Sequence, residues 1–165
     1  MASVKDGSTE KSGLAELIVK GGVYSGIKGN TPKEVLSAFI ESLFPVTSIP
    51  IDRLLTAVLD REALMSTGIG GGIALPHPRN PLAISESEQF VALAFLESPV
   101  NWNSLDGDRV DTLLLIVSAS ARQHLQTLSE ITFFCRQEDF CRLLKDRAAP
   151  GELLNYIREA ENNWK

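Results

Sequence analysis

Two histidines are the side chains in this sequence best suited to chemistry near neutral pH, and the chain has only these two. His77 ends the segment Ala74-Leu75-Pro76-His77-Pro78. The prolines on either side restrict the backbone, so covalent geometry partly fixes the direction of the imidazole. A neutral imidazole in a stiff loop, beside backbone amides freed by glycines, suits a nucleophile that accepts an anionic group. The plainer reading is an ordinary surface histidine. His124 shares a helical face with Leu128, Ile131 and Cys135, at spacings of i+4, i+7 and i+11, which turns it toward a sheet rather than water. One reading makes it a core histidine satisfied by a backbone carbonyl. The other places it in the first turn of a helix just after a strand, where free amides and the helix dipole favour an anion.

The glycine run Gly68-Ile69-Gly70-Gly71-Gly72-Ile73 is the next candidate. Ile73 stands where the dinucleotide fingerprint requires its third glycine, and no Lys-Ser or Lys-Thr follows to make a Walker loop. Neither motif supports nucleotide binding. Two uses remain, a set of amide donors or a tight turn between strands. Zinc is disfavoured because His77, His124, Cys135 and Cys141 form no CxxC or HxxxH pair. Ser66 precedes His77 without a GxSxG elbow, so a hydrolase triad has no support.

Elements that position these residues can be read from pattern. Residues 1–13 are polar and small, and read as a disordered tag or linker ahead of a domain over 14–165. Val23–Ile27 reads as a short strand. Thr31-Pro32-Lys33-Glu34 is a helix start, with Thr31 as cap, Pro32 at the first position and Glu34 completing a capping box. That helix is expected to run to about Leu43 and stop before Pro45. Ile51, Leu54, Leu55, Val58 and Leu59 predict an amphipathic helix from near Pro50 to Arg61–Leu64. Ser66–His77 reads as short strands joined by a turn. Phe90–Leu96 and Leu113–Ser118 are predicted strands, and the unbroken apolar run of the second suits a central strand buried on both faces. Helices are expected over Ala121–Arg136, Glu138–Lys145 and Gly151–Ala160. The sum is an α/β fold, a single domain with a mixed sheet between helices.

Composition bounds the partners. The chain has 165 residues and a formal net charge of −5, which argues against nucleic acid because phosphate binding needs a surplus of Lys and Arg on one face. No apolar run approaches the roughly 20 residues that span a bilayer, and the N-terminus lacks a signal-peptide core. Cys135 and Cys141 read as free thiols of a reducing compartment. A cytoplasmic protein is expected.

The stretch Arg61-Glu62-Ala63-Leu64-Met65-Ser66-Thr67-Gly68-Ile69-Gly70-Gly71-Gly72-Ile73-Ala74-Leu75-Pro76-His77 resembles the active-site segment of fructose/mannitol-type (type-2) enzyme IIA domains of the bacterial phosphotransferase system. Its STGIG-x-GIA-x-PH form is most similar to the nitrogen-regulatory branch. Gln123-His124-Leu125-Gln126-Thr127-Leu128-Ser129 resembles the second histidine segment of the family, and the likeness spans residues 14–160. The resemblance implies a phosphocarrier with a mixed sheet between helical layers. A histidine at the position of His77 would accept a phosphoryl group from the carrier protein HPr or a paralogue, then pass it to a IIB component or hold it as a signal. Arg61 and His124 would line the same pocket, Arg61 stabilising charge and His124 positioning the group.

Phosphoryl transfer between histidines needs a neutral imidazole held in line and donors around three oxygens, without cofactor or metal. Arg61 offers a planar, always-charged fork, and the amides of Gly68, Gly70, Gly71 and Gly72 and of the His124 helix offer neutral donors. Pro78 follows His77 where many relatives have glycine. It removes an amide donor, while Arg79 brings another cation nearby. A regulatory IIA is the leading expectation. A sugar-uptake IIA, and a sensor module that only binds a partner, stay open beside it, as does a homo-dimer.

Overall fold

A computed structural model describes residues 13–43 and 46–164 of the chain. The expected linker over 1–13, apart from Gly13, lies outside the described residues, as does Pro45 itself, while the helix expected to stop before it ends at Ser42 with Leu43 as its C-cap. Among the described residues, six α-helices and five strands follow in the order α1 (Leu14–Gly21), β1 (Val23–Ile27), α2 (Pro32–Ser42), α3 (Ile51–Leu64), β2 (Gly68–Gly70), β3 (Ile73–Ala74), β4 (Phe90–Val100), β5 (Val110–Val117), α4 (Ala121–Cys135), α5 (Glu138–Lys145) and α6 (Pro150–Asn162). The strands form one sheet in the order β1-β4-β5-β3-β2. β1 runs parallel to β4, β4 antiparallel to β5, β5 parallel to β3, and β3 antiparallel to β2. This is the mixed sheet that the alternation of elements predicts.

Side-chain alternation on the two long strands divides the core in two. Phe90, Ala92, Ala94 and Leu96 of β4, with Leu113, Leu115 and Val117 of β5, face α2 and α3. Val91, Leu93 and Phe95, with Leu114 and Ile116, face α1, α4, α5 and α6. Both strands are covered on both sides, which is why they read as continuous apolar runs.

The local signals act as expected. Glu34 N–H donates to Thr31 Oγ1 as a cap, while the Glu34 carboxylate accepts from Asn30 N–H, one residue before the Thr31 N–H that the expected capping box would use. Leu54 and Val58 of the α3 stripe are fully buried, while Ile51, Leu55 and Leu59 pack at its margin. Both long strands extend past their predicted ends, β4 to Val100 and β5 back to Val110, because Val100 pairs with Val110 beyond an irregularity in the ladder. The helix α1 has no counterpart among the sequence expectations. Its Leu14, Leu17 and Ile18 are buried against the sheet.

Candidate functional site

His77 and His124 meet because two neighbouring strands end at the same rim of the sheet. β3 pairs with β5 through Ile73 with Thr112 and Ala74 with Leu113. The contact continues past the strand, where Ile116 N–H donates to Pro76 O at 3.0 Å. His77 therefore leaves the C-terminal end of β3 alongside the last turn of chain before α4. Ser120 caps α4, accepting from Gln123 N–H, and sets His124 in the first turn. The C-terminal edge of parallel strands is where α/β sheets expose binding sites. The two imidazole centroids lie 4.6 Å apart with planes inclined by 40°.

The tautomer of His77 follows from its partner. His77 Nδ1 lies 2.8 Å from Leu75 O, and a carbonyl oxygen only accepts, so Nδ1 carries the proton and donates it. Nε2 is then left with its lone pair, the nucleophilic form of the ring. Burial pushes the His77 pKa below the ordinary histidine value; the bond to Leu75 O raises it, Arg61 lowers it and Glu62 raises it. His124 is also depressed, first by burial and then by His77 and Arg61. Two imidazoles this close resist being charged together.

Both rings line a cleft of about 290 Å³ with Pro78, Arg79, Ile116, Ser118 and Leu125 among its walls. That is just below the roughly 300–1,000 Å³ of small-molecule pockets, and it suits a small polar group presented from outside. Ala121 opens α4 at the same cleft, where the first N–H groups of a helix have no intrahelical partner. Arg61 is in the last turn of α3, where Nη1 donates to Met65 O at 2.7 Å. It stands outside the cleft lining, yet its charge reaches both imidazoles.

The glycine run lies elsewhere. Gly70, Gly71 and Gly72 take φ values of 94°, 65° and 80°, the left-handed region that glycine adopts without strain, and they form the tight turn between β2 and β3. Gly71 N–H donates to the Asp106 carboxylate and Gly68 N–H to Ser66 Oγ, so these amides already have partners. Gly70 and Gly71 line a different cleft, of about 510 Å³, together with Asp106, Cys135 and Cys141. Among the described residues, no group of three or more His, Cys, Asp or Glu side chains could hold a metal ion.

The positioning roles of Glu62, Thr67 and Trp102 escaped the sequence reading. Glu62 accepts from Thr67 N–H at 2.9 Å and from Thr67 Oγ1 at 2.6 Å. Buried Trp102 donates from Nε1 to Thr67 Oγ1, and Thr67 O accepts from Leu75 N–H at 3.0 Å. A chain of hydrogen bonds thus runs from α3 through Thr67 to Leu75, whose carbonyl orients His77. The available signal was electrostatic. A carboxylate near a helix C-terminus opposes the dipole and therefore marks a specific partner.

Two outcomes follow from this geometry. Glu62→Gln is expected to destabilise the fold by about 1–3 kcal/mol in urea unfolding, because one amide oxygen cannot replace both carboxylate acceptors of Thr67. With both imidazoles depressed, the unfolded chain binds more protons than the native one between the native values and the ordinary histidine value of about 6.5. Stability is then complete above that window and falls as pH is lowered through it. Urea midpoints between about pH 7.5 and 5.5 are expected to drop, and to drop less in a His77→Gln/His124→Gln variant.

Comparison with known proteins agrees with this architecture. A family model described as "Phosphoenolpyruvate-dependent sugar phosphotransferase system, EIIA 2" matches residues 16–160. The nitrogen regulatory protein of Escherichia coli (strain K12) is 30% identical over 139 residues, covering 83% of this chain and 84% of that protein. In fold, the chain is similar to the nitrogen regulatory protein IIA-Ntr from Neisseria meningitidis, with a TM-score of 0.75 at 21% identity over 87% of this chain and 97% of that one. It is also similar in fold to IIAMtl in the complex of enzyme IIAMtl with phosphorylated enzyme IIBMtl from Escherichia coli, with a TM-score of 0.63 at 18% identity over 85% of this chain and 95% of the other. With the match covering residues 16–160, this chain belongs to the EIIA type-2 family of the phosphoenolpyruvate-dependent sugar phosphotransferase system.

Proposed function

We propose that the chain is a cytoplasmic phosphoacceptor that takes a phosphoryl group on Nε2 of His77 from HPr or a paralogue. The observation that carries this reading is the bond from His77 Nδ1 to Leu75 O, in a ring that shares a cleft with His124. It fixes the reactive tautomer before any partner arrives, which is the preorganisation that phosphoryl transfer requires. The Nε2 lone pair forms the new N–P bond as the donor's N–P bond breaks, and the donor ring leaves with that electron pair. His124 would hold a phosphoryl oxygen, supported by the free amides that open α4. Arg61 would offset the added charge. The likeness to nitrogen regulatory proteins favours a chain that holds the group as a signal. The complex of IIAMtl with phosphorylated IIBMtl supports a IIB component as an alternative acceptor in sugar uptake.

Incubation with phosphoenolpyruvate, enzyme I and HPr, read by intact mass, tests this directly. Wild type is expected to gain one acid-labile phosphoryl group, and His77→Ala none. Equal labelling of both would sink the assignment, and no labelling of either would leave a module that acts by binding alone. Arg61→Gln is expected to keep its melting temperature and slow labelling roughly 10- to 150-fold, the loss of a charge-assisted contact of about 1.5–3 kcal/mol made in the transition state.

His124 gives a second readout. Its pKa starts low, and an anion on His77 reverses the local sign, so the value is expected to rise on phosphorylation. Ring-proton NMR titration before and after labelling measures this. A value indifferent to His77 would make His124 a structural residue.

A further inference from the structure

Among the side chains that line the His77 cleft, Arg79 is the sole Asp, Glu, Lys or Arg. Its guanidinium is exposed and has no hydrogen-bond or ion-pair partner among the described residues. Its main chain is tied down, with Arg79 N–H reaching Ala57 O of α3 at 3.4 Å. Arg61, by contrast, stands outside the lining and has Nη1 committed to Met65 O. Between His77 and Arg79 comes Pro78, which has no N–H to offer. The first donor that the chain supplies after the nucleophile is therefore the Arg79 side chain.

We infer that Arg79 is a second phosphoryl-binding cation of this site, contacting the oxygens of the group on His77 in the place that a backbone amide at residue 78 would serve. This rests on the phosphoacceptor reading and adds to it a specific residue. A phosphoryl group brings up to two negative charges into a cleft walled by Ile116, Leu125 and prolines, where charge interactions are screened less than in water. A guanidinium meets such a group with two parallel N–H donors and remains charged at every working pH. Because the free side chain gives up no existing bond to reach the site, its main cost is rotamer entropy.

A small donor separates contact with the phosphoryl group from docking of a protein partner. Phosphoramidate carries a P–N bond and no protein surface. In the transfer the His77 Nε2–P bond forms as the P–N bond breaks, and the nitrogen departs with the electron pair as ammonia, which takes a proton from water. The imidazole keeps its Nδ1 proton on Leu75 O.

The rate of labelling by phosphoramidate is measured by intact mass for wild type, Arg79→Gln and Arg79→Lys, with melting temperature as a folding check. Arg79→Gln is expected to melt like wild type and label roughly 10- to 100-fold more slowly, with Arg79→Lys between the two. The second ionisation of the phosphoryl group, followed by phosphorus NMR, is expected at lower pH in wild type than in Arg79→Gln, a shift that a purely structural role would not produce. Equal rates with phosphoramidate overturn the assignment, even where Arg79→Gln slows transfer from HPr, since that pattern is docking. Wild type that takes no label on His77 from either donor overturns the phosphoacceptor reading and this inference with it.

Discussion

β3 is aligned with β5 at only two positions, and this short parallel contact is what brings a loop histidine to a helix histidine. Ala74 belongs to the core under α2 and α3, whereas Ile73 belongs to the core under α4 to α6. A slip of one residue would exchange their faces, setting a large side chain where a small one fits and carrying His77 away from α4. The bond from Ile116 N–H to Pro76 O extends the register to the residue before His77. The glycine turn, the Glu62–Thr67 bonds and the capped start of α4 all serve to hold that one alignment.

The same arrangement sets the electrostatics. His77 and His124 lie over a sheet whose nearby residues are apolar, so burial is the largest influence on both rings and keeps them neutral. Cations are then placed beside the rings rather than on them. The chain as a whole is acidic, at −5, yet no carboxylate lines this cleft. Local charge at the site thus opposes the net charge of the molecule, which favours an incoming anion over a cation.

Much of this was legible in the sequence because the responsible forces are short in range. The capped start at Thr31, the α3 stripe and the doubly buried run of β5 each depend on neighbours within a few residues. His77 and His124 stood out by their rarity and by the elements they end or begin. The glycine run was legible as either a turn or a set of donors, and only the partners of Gly68 and Gly71 decide between them, since Asp106 is 35 residues away in sequence. Trp102 is equally remote from Thr67. The helix α1 was missed because eight residues give too few turns for a periodicity to show, and its burial against β4 is a tertiary fact.

The carbonyl of Leu75 has a consequence for group-transfer potential. In the proposed reaction the proton, held on Nδ1, would remain on the imidazole once Nε2 is bonded to phosphorus. The ring is then electron-poor and would leave again as a neutral imidazole rather than as a strongly basic anion. A phosphoryl group attached there stays easy to give away. One backbone hydrogen bond, formed by a residue with no part in the cleft, would thus keep such a group transferable.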